Sequence, residues 1–217
     1  MKKHECALFD LDGVIVDTAK FHFLAWKKIA SILNYDLTPI DNEKLKGVSR
    51  SDSLDMILKM ANKNIETSKF KEYLVQKNLT YLEYIKDINP QDILPGISEA
   101  LSLLKNKNIK IGLGSASKNA RIILERLGLI HYFEVIIDGN KVEKSKPHPQ
   151  VFLKASSNLG IVPAKCLVFE DSNAGINSAK AAGMTAVAIG SPEKFSNEDF
   201  CYPDFLTLIQ NDLDKLF

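Results

Sequence analysis

The chain has 217 residues, of which 45% are hydrophobic and 25% are charged, and its formal net charge is +1. These values are typical of a globular protein with a sizeable core, built as one domain with an insertion or as a large and a small domain. They exclude the strongly basic composition of many nucleic-acid-binding proteins, and no stretch reaches the roughly 20 apolar residues of a membrane span. We therefore expect neither nucleic acid nor a membrane as a partner.

The three cysteines, Cys6, Cys166 and Cys201, lack the spacing of a zinc site or of a disulfide framework. They are interpreted as small core residues or free thiols, which are typical of a reducing compartment. We therefore predict a cytoplasmic protein, and nothing in the sequence demands more than a monomer.

The first predicted strand, residues 5–9, runs directly into Asp10-Leu11-Asp12-Gly13. Two carboxylates at the end of a buried strand suffer desolvation and mutual repulsion unless a neighbouring group compensates them. A divalent cation would compensate both, and Gly13 would let the backbone turn sharply enough to offer a carbonyl oxygen. An Asx-turn that merely closes the strand explains the same pattern, so this segment alone leaves both interpretations open.

Residues 17–89 predict a small helical bundle, because apolar residues recur at helical spacing and no convincing strand interrupts them. The predicted helices cover residues 20–33, a stretch from Ser51 or Ser53 to about residue 61, and residues 68–85. Asp17 or Thr18 is the expected cap of the first helix. Prolines at positions 90 and 95 then break the pattern, as a boundary should.

After residue 89 short apolar strands alternate with helices. The predicted strands cover residues 109–113, 133–137, 166–169 and 185–189. The predicted helices cover residues 97–105, 119–127, 149–159, 175–182 and 205–216. This alternation is typical of an α/β protein whose parallel sheet carries helices on both faces, with the first strand near the middle. We predict a core of residues 1–16 and 90–217, into which residues 17–89 are inserted as an α-helical cap.

Polar residues stand where three predicted strands end: Asp10 with Asp12, Ser115, and Glu170 with Asp171. Functional residues of such sheets collect beyond the carboxyl ends of the strands. Their oxygen ligands suit Mg²⁺, and Ser115 precedes a helix whose N-terminus can bind phosphate. With a positive charge from Lys146, one carboxylate could attack a phosphoryl group while a second exchanges a proton. A structural carboxylate cluster without catalysis is the alternative.

These motifs resemble those of the haloacid dehalogenase superfamily of phosphotransferases. Asp10-Leu11-Asp12-Gly13-Val14, Ser115, Lys146 and Glu170-Asp171 occur in the family's order and at its spacing. The resemblance covers essentially the whole chain and implies a Rossmann-like core with an inserted α-helical cap. It also implies that Asp10 is the nucleophile, that Asp12 is the general acid and base, and that Ser115 and Lys146 bind the transferring phosphoryl group. Mg²⁺ would be held by the carboxylates of Asp10 and Asp171 and the carbonyl of Asp12, with Glu170 beside it.

Two further stretches resemble the sugar phosphomutases of this family. The cap stretch contains Lys46, Gly47, Val48, Arg50 and Ser53, and the core stretch is Ser115-Ala116-Ser117-Lys118-Asn119. A mutase must hold a bisphosphate with one phosphate at the nucleophile and the other at a second anion site. Arg50 can bind that second phosphate through two parallel hydrogen bonds, with Ser117, Lys118 and Asn119 as further donors.

Four other cap residues match the same pattern: Thr18, His22, Trp26 and Lys77. By resemblance Thr18 and His22 lie at the hinge, Trp26 contacts the sugar and Lys77 faces the cleft. Ordinary structural explanations exist for these residues as well. Thr18 can simply cap a helix, Trp26 can be a core residue, and Lys77 can be a solvated surface lysine.

The resemblance implies interconversion of two sugar phosphates, β-D-glucose 1-phosphate and β-D-glucose 6-phosphate, through an aspartyl phosphate and β-D-glucose 1,6-bisphosphate. A sugar-phosphate or phosphoglycolate-type phosphatase is the first alternative. A receiver-like module that is phosphorylated on Asp10 and signals to a partner is the second, although it would need neither a cap nor Arg50. The chain departs from the mutase pattern at Ser51, Gly112, Gly114 and Gln150. None of these departures removes a nucleophile, a metal ligand or a phosphate donor.

Overall fold

The computed structural model describes residues 4–217, in which six parallel strands form one sheet. The strands are β1 (Cys6–Phe9), β2 (Lys110–Gly114), β3 (Val135–Ile137), β4 (Cys166–Glu170), β5 (Thr185–Ile189) and β6 (Phe200–Tyr202). Their order in the sheet is β3-β2-β1-β4-β5-β6. The predicted parallel sheet with a central first strand is thus confirmed. Residues 1–3 of the predicted core segment 1–16 lie outside the described residues.

The described range contains ten α-helices. The first four form the cap: α1 (Ala19–Ile32), α2 (Pro39–Glu43), α3 (Arg50–Met60) and α4 (Thr67–Tyr84). The others are α5 (Ile97–Asn106), α6 (Ala120–Arg126), α7 (Gln150–Leu159), α8 (Asn173–Ala181), α9 (Phe205–Asn211) and α10 (Leu213–Leu216). Short 3₁₀ turns occur at Pro90–Asp92, Ile130–Tyr132, Pro163–Lys165 and Pro192–Lys194. A search of these helices finds no candidate for a membrane span.

Alternate residues of β1 enter two different hydrophobic clusters. Ala7 and Phe9 pack with residues of α5, α6 and α9, whereas Cys6 and Leu8 pack with residues of α7 and α8. Because successive side chains of a strand point to opposite faces, this division shows that helices cover both faces of the sheet. A third cluster, which includes Trp26, fills the cap. The predicted α/β architecture with an inserted helical cap is confirmed.

The start of α3 differs from its prediction. The helix begins at Arg50 rather than at Ser51 or Ser53. Ser49 is the N-cap, because its hydroxyl accepts a hydrogen bond from the backbone N–H of Asp52 at 3.2 Å. Arg50 therefore belongs to the first turn of a helix instead of a loop.

Two elements escaped prediction because each is too short to show hydrophobic periodicity. Helix α2 has five residues, none of them buried, and a capping box formed by Thr38 and Asp41 starts it. Strand β6 has three residues and forms the edge of the sheet beside β5. The prediction of β5 as the last strand is therefore wrong. The predicted helix over residues 205–216 is divided at Asp212 into α9 and α10.

Candidate active site

The parallel register brings the carboxyl ends of three strands together. Phe9 of β1 is level with Leu113 of β2 and with Phe169 of β4. Polar residues that end or directly follow these strands therefore meet at one edge of the sheet. They are Asp10, Ser115 and Glu170.

Lys146 is buried at this edge, with only 1% of its surface exposed. Its Nζ donates to Oδ1 of Asp10 at 2.6 Å and to Oε1 of Glu170 at 2.5 Å. Burial alone would lower the pKa of Lys146, but the two carboxylates outweigh burial and hold the pKa above its ordinary value. Lys146 is therefore a permanent positive charge between two carboxylates.

Gln150, one of the departures from the mutase pattern, supports the loop that carries Lys146. Its Oε1 accepts the backbone N–H of Glu143 at 2.9 Å and that of Lys144 at 2.8 Å. An amide oxygen can accept these two hydrogen bonds as a carboxylate oxygen would. The neutral side chain therefore holds this loop.

The carboxylates of Asp10, Glu170 and Asp171 each place an oxygen within 4.8 Å of the others. Burial, followed by the neighbouring negative charges, raises the pKa of Asp171 well above its ordinary value. Burial also raises the pKa of Glu170 to about 7, although Lys146 opposes this effect. A buried excess of negative charge with only oxygen donors is the arrangement that a hard divalent cation balances, so these residues fit such an ion.

Gly13 allows the turn after Asp12 to pass directly against Asp171. Its φ is +81°, and a Cβ at this position would collide with the Asp171 carboxylate. A larger residue would therefore displace one member of the carboxylate cluster.

The Asp12 carboxylate points away from that cluster and toward the cap. Its Oδ1 accepts a hydrogen bond from the hydroxyl of Thr18 and lies 3.7 Å from Nε2 of His22. Thr18 precedes α1 as expected, but its side chain makes no capping hydrogen bond. Burial, followed by the charge of Asp10, raises the pKa of Asp12 to about 6. A carboxyl group with this pKa can take up and release a proton near neutral pH.

Lys77 is buried beneath the cap side of the cavity, so its interpretation as a solvated surface lysine is wrong. Its Nζ donates to Nδ1 of His22 at 2.6 Å and lies 5.0 Å and 4.8 Å from the ring centres of Trp26 and Tyr81. Burial, followed by the charge of Arg50, lowers the pKa of Lys77 to about 7. Burial and the charge of Lys77 also lower the pKa of His22 well below its ordinary value, so the imidazole is neutral.

Successive hydrogen bonds shape the turn after β2. Ser115 Oγ accepts the backbone N–H of Ser117 at 3.1 Å, and Ser117 Oγ accepts that of Asn119 at 3.3 Å. The side chain of Asn119 then reaches the cap, where Asn78 Oδ1 accepts its Nδ2 at 3.0 Å. The same oxygen accepts Nη2 of Arg50 at 2.7 Å. Asn78 lies outside the motifs that the sequence marked, and only the three-dimensional structure identifies it.

The cap lies closed against the core. Gly47, with φ +71°, approaches Ser172 so closely that a Cβ would lie 2.6 Å from its Oγ. Nζ of the neighbouring Lys46 lies 3.7 Å from Oδ2 of Asp171. The loop between α2 and α3 therefore contacts the core directly beside the carboxylate cluster.

A cavity lies between the core and the cap. The predicted residues that line it are Asp10, Asp12, His22, Trp26, Lys46, Gly47, Val48, Arg50, Ser53, Lys77, Ser115, Ala116, Ser117, Lys118, Asn119 and Asp171. Thr18, Lys146 and Glu170 reach the site through the hydrogen bonds described above. The lining also includes Ala19, Asn42 and Leu45, which no motif had marked. Trp26 both lines the cavity and packs in the hydrophobic cluster of the cap.

Comparisons with known proteins show which proteins this chain is similar to. It is 44% identical over 197 residues to the β-phosphoglucomutase of Bacillus subtilis, covering 90% of this chain and 87% of that protein. It is 31% identical over 186 residues to a phosphorylated carbohydrates phosphatase of Thermotoga maritima, covering 84% and 83%. A crystal structure of β-phosphoglucomutase from Clostridium difficile superposes with a TM-score of 0.93 at 39% identity, over 98% of each chain.

A family model also matches most of the chain. Residues 7–189 fit the model of the haloacid dehalogenase-like hydrolases, a range that contains the carboxylate cluster, Lys146 and the cap. Because the match extends from the first strand to the fifth, this protein is a member of the haloacid dehalogenase-like hydrolase family.

Proposed function

We propose that this enzyme is a β-phosphoglucomutase, which interconverts β-D-glucose 1-phosphate and β-D-glucose 6-phosphate. The observation that carries the proposal is one cavity between the core and the cap, with groups on both sides that can bind phosphate. Asp10 and Ser115 line it on the core side, and Arg50 and Asn119 meet where the cap faces the core. The relatives called β-phosphoglucomutase in B. subtilis and C. difficile support the same reaction.

Asp10 is the nucleophile of the proposed cycle, and Lys146 together with Ser115 binds the transferring phosphoryl group. Phosphorylated Asp10 gives its phosphoryl group to the 6-hydroxyl of β-glucose 1-phosphate, which forms β-glucose 1,6-bisphosphate. The bisphosphate then reorients, so that its two phosphates exchange places. Asp10 takes the phosphoryl group from the oxygen on C1, and glucose 6-phosphate is released. The hydrogen bond from Lys146 orients the Asp10 carboxylate before it takes up the phosphoryl group.

Asp12 is the general acid and base. It removes the proton of the sugar hydroxyl that attacks phosphorylated Asp10, and it returns a proton to the oxygen on C1 when the O–P bond there breaks and the phosphoryl group moves to Asp10. Its position between Thr18 and His22 connects it to α1 of the cap. We propose that cap closure brings Asp12 into place, which favours the sugar over water as acceptor.

Mg²⁺ is the cation we propose for the carboxylates of Asp10 and Asp171 and the carbonyl of Asp12, with Glu170 beside it. When bound, it would neutralise charge on the phosphoryl oxygens. The carboxylate of Asp12 is hydrogen-bonded to Thr18 instead of joining the cluster, which supports its backbone carbonyl as the donor.

We further propose that residues 17–89 act as a cap domain on a core of residues 1–16 and 90–217, in a monomeric cytoplasmic enzyme. Cys6 and Cys166 are buried free thiols in register on β1 and β4, which fits a reducing compartment. The described residues of one chain supply every side chain that the proposed cycle uses, so a second copy is not required.

The proposal is tested by supplying β-glucose 1-phosphate, Mg²⁺ and a trace of β-glucose 1,6-bisphosphate, with glucose 6-phosphate and inorganic phosphate measured in parallel. We expect glucose 6-phosphate to accumulate without a matching release of phosphate. The same assay with α-glucose 1-phosphate tests the anomer and should give much less product. Release of one phosphate per sugar consumed would contradict the mutase and support a sugar-phosphate phosphatase, which the T. maritima relative makes the second candidate.

A further inference from the structure

Asn78 lies on α4, next to Lys77, and is partly buried. Its Oδ1 accepts two hydrogen bonds, one from Nη2 of Arg50 at 2.7 Å and one from Nδ2 of Asn119 at 3.0 Å. Both donors line the cavity, whereas Asn78 is not among the lining residues. Asn78 therefore contacts the two donors from behind the cavity wall.

Donor and acceptor chemistry fixes the orientation of all three groups. A guanidinium has no acceptor, so the oxygen of Asn78 must face Arg50. Because that oxygen is the shared acceptor, Asn119 must present its NH₂ group to Asn78. One carbonyl oxygen has two lone pairs, and here each receives one donor. The orientation of Asn119 is thereby linked to the position of Arg50.

The three residues belong to three different elements. Arg50 begins α3 and Asn78 lies on α4, both in the cap, whereas Asn119 precedes α6 in the core. The hydrogen bond between Asn78 and Asn119 therefore forms only when the cap lies against the core. A long arginine side chain that is already held in place loses less conformational entropy when it binds an anion.

We propose that Asn78 is a positioning residue for the second phosphate of the bisphosphate. Its carbonyl oxygen aligns Arg50 with Asn119, so that this anion site is complete only when the cap is closed. The inference rests on the proposed function, because only a bisphosphate or a correctly bound sugar monophosphate places a phosphate there. Asn78 itself does not touch the reacting atoms.

The test is Asn78→Ala, assayed for mutase turnover and for hydrolysis of acetyl phosphate, which has no second phosphate. Losing the shared acceptor should raise the KM for β-glucose 1-phosphate and the activating concentration of β-glucose 1,6-bisphosphate by about tenfold. The rate constant for acetyl phosphate hydrolysis should change far less. Gln76→Ala is the matched control, since Gln76 is an exposed amide on the same helix, and it should leave all constants near those of the unaltered enzyme.

A second measurement separates positioning from general damage to the fold. If Asn78 acts through Arg50, then Asn78→Ala added to Arg50→Ala should raise the same constants by less than threefold, because neighbours in one network are not additive. Full additivity in the double variant, or an equal loss of acetyl phosphate hydrolysis, would overturn the inference. If the unaltered enzyme is a mutase and Asn78→Ala has the same KM, the role proposed for Asn78 is wrong and the proposed function stands. Release of inorganic phosphate alone by the unaltered enzyme would overturn the proposed function, and this inference with it.

Discussion

On the core side of the cavity the buried charges are mostly carboxylates, those of Asp10, Glu170 and Asp171, with Lys146 as the buried ammonium among them. On the cap side the charges are cations, the partly buried Arg50 and the buried Lys77, which are hydrogen-bonded to neutral partners, Asn78 and His22. Each side thus carries an excess of charge of one sign, and the contact between Lys46 of the cap and Asp171 of the core offsets only part of it.

This difference indicates what each side is built to receive. Buried charge is unfavourable unless a partner compensates it, so the core side favours a metal cation and the cap side favours an anion. If a bisphosphate were held between the two sides, its reacting phosphate would bind to the core and its other phosphate would bind to the cap. In the proposed mechanism, the core therefore carries out the phosphoryl transfer and the cap selects the acceptor.

Removing Asp10, the proposed nucleophile, should have the largest effect. We expect Asp10→Asn to lower mutase turnover by on the order of 10⁴-fold or more, because the proposed phosphoenzyme forms on the carboxylate that this variant lacks. Acetyl phosphate hydrolysis should fall equally, since both activities pass through the same intermediate. Turnover near that of the unaltered enzyme, in a sample checked for remaining template enzyme by mass spectrometry, would contradict the mechanism.

Removing Arg50 from the cap should distinguish the role of the cap from that of the core. Arg50→Ala is expected to lower mutase kcat/KM by roughly 10²-fold, because a charge-assisted hydrogen-bond pair to phosphate is lost. Hydrolysis of acetyl phosphate should survive, as it uses only the core side. Lys59→Ala removes an exposed cation from the same helix and serves as the control. Equal loss of both activities would show that Arg50 does not serve a second phosphate.

Lys77, the buried lysine of the cap, should make the free energy of unfolding depend on pH. In the folded protein the pKa of Lys77 is about 7, because burial and then the charge of Arg50 lower it, although the charge of Asp12 opposes them. In the unfolded protein the pKa of Lys77 returns to its ordinary value. The unfolded state therefore binds more protons between about pH 7 and pH 10, and the contribution of Lys77 to stability rises with pH in that window.

Lys77→Met should remove this dependence. At pH 6 the charged ammonium is buried against a neutral His22 in the unaltered protein, so the variant should gain roughly 2 kcal/mol in the free energy of unfolding. The gain should shrink toward pH 10, as measured by urea denaturation at several pH values. A variant less stable than the original at pH 6 would show that the ammonium is not a destabilising charge.

The smallest expected effect concerns the contact that joins the two sides. Ser145, next to Lys146, donates to Oδ2 of Asp52 at 2.5 Å across the boundary between core and cap. Ser145→Ala removes one exposed hydrogen bond that holds the cap closed, so hydrolysis of the phosphoenzyme relative to sugar transfer should rise by about threefold. Ser157→Ala, at an exposed position of α7, is the control. An unchanged ratio would mean that this contact does not influence closure.

The amino-acid sequence determined the α/β core, the inserted helices and the identity of the chemical groups at the strand ends. It could do so because strands buried on both faces are short continuous apolar runs, and because Asp10, Ser115, Glu170 and Asp171 stand immediately beside them. Local signals of this kind need no knowledge of what packs against them. Short elements such as α2 and β6 carry too few residues to produce such a signal.

Only the tertiary structure decided how these groups are compensated. Lys77 has the sequence context of a surface lysine, yet packing of α1 against α4 buries it against His22. Thr18 occupies the position of a helix cap, but the nearby carboxylate of Asp12 takes its hydroxyl. Asn78 has a partner 28 residues away in Arg50 and another 41 residues away in Asn119. Burial and hydrogen-bond partners of this kind depend on contacts between distant segments, which no local pattern records.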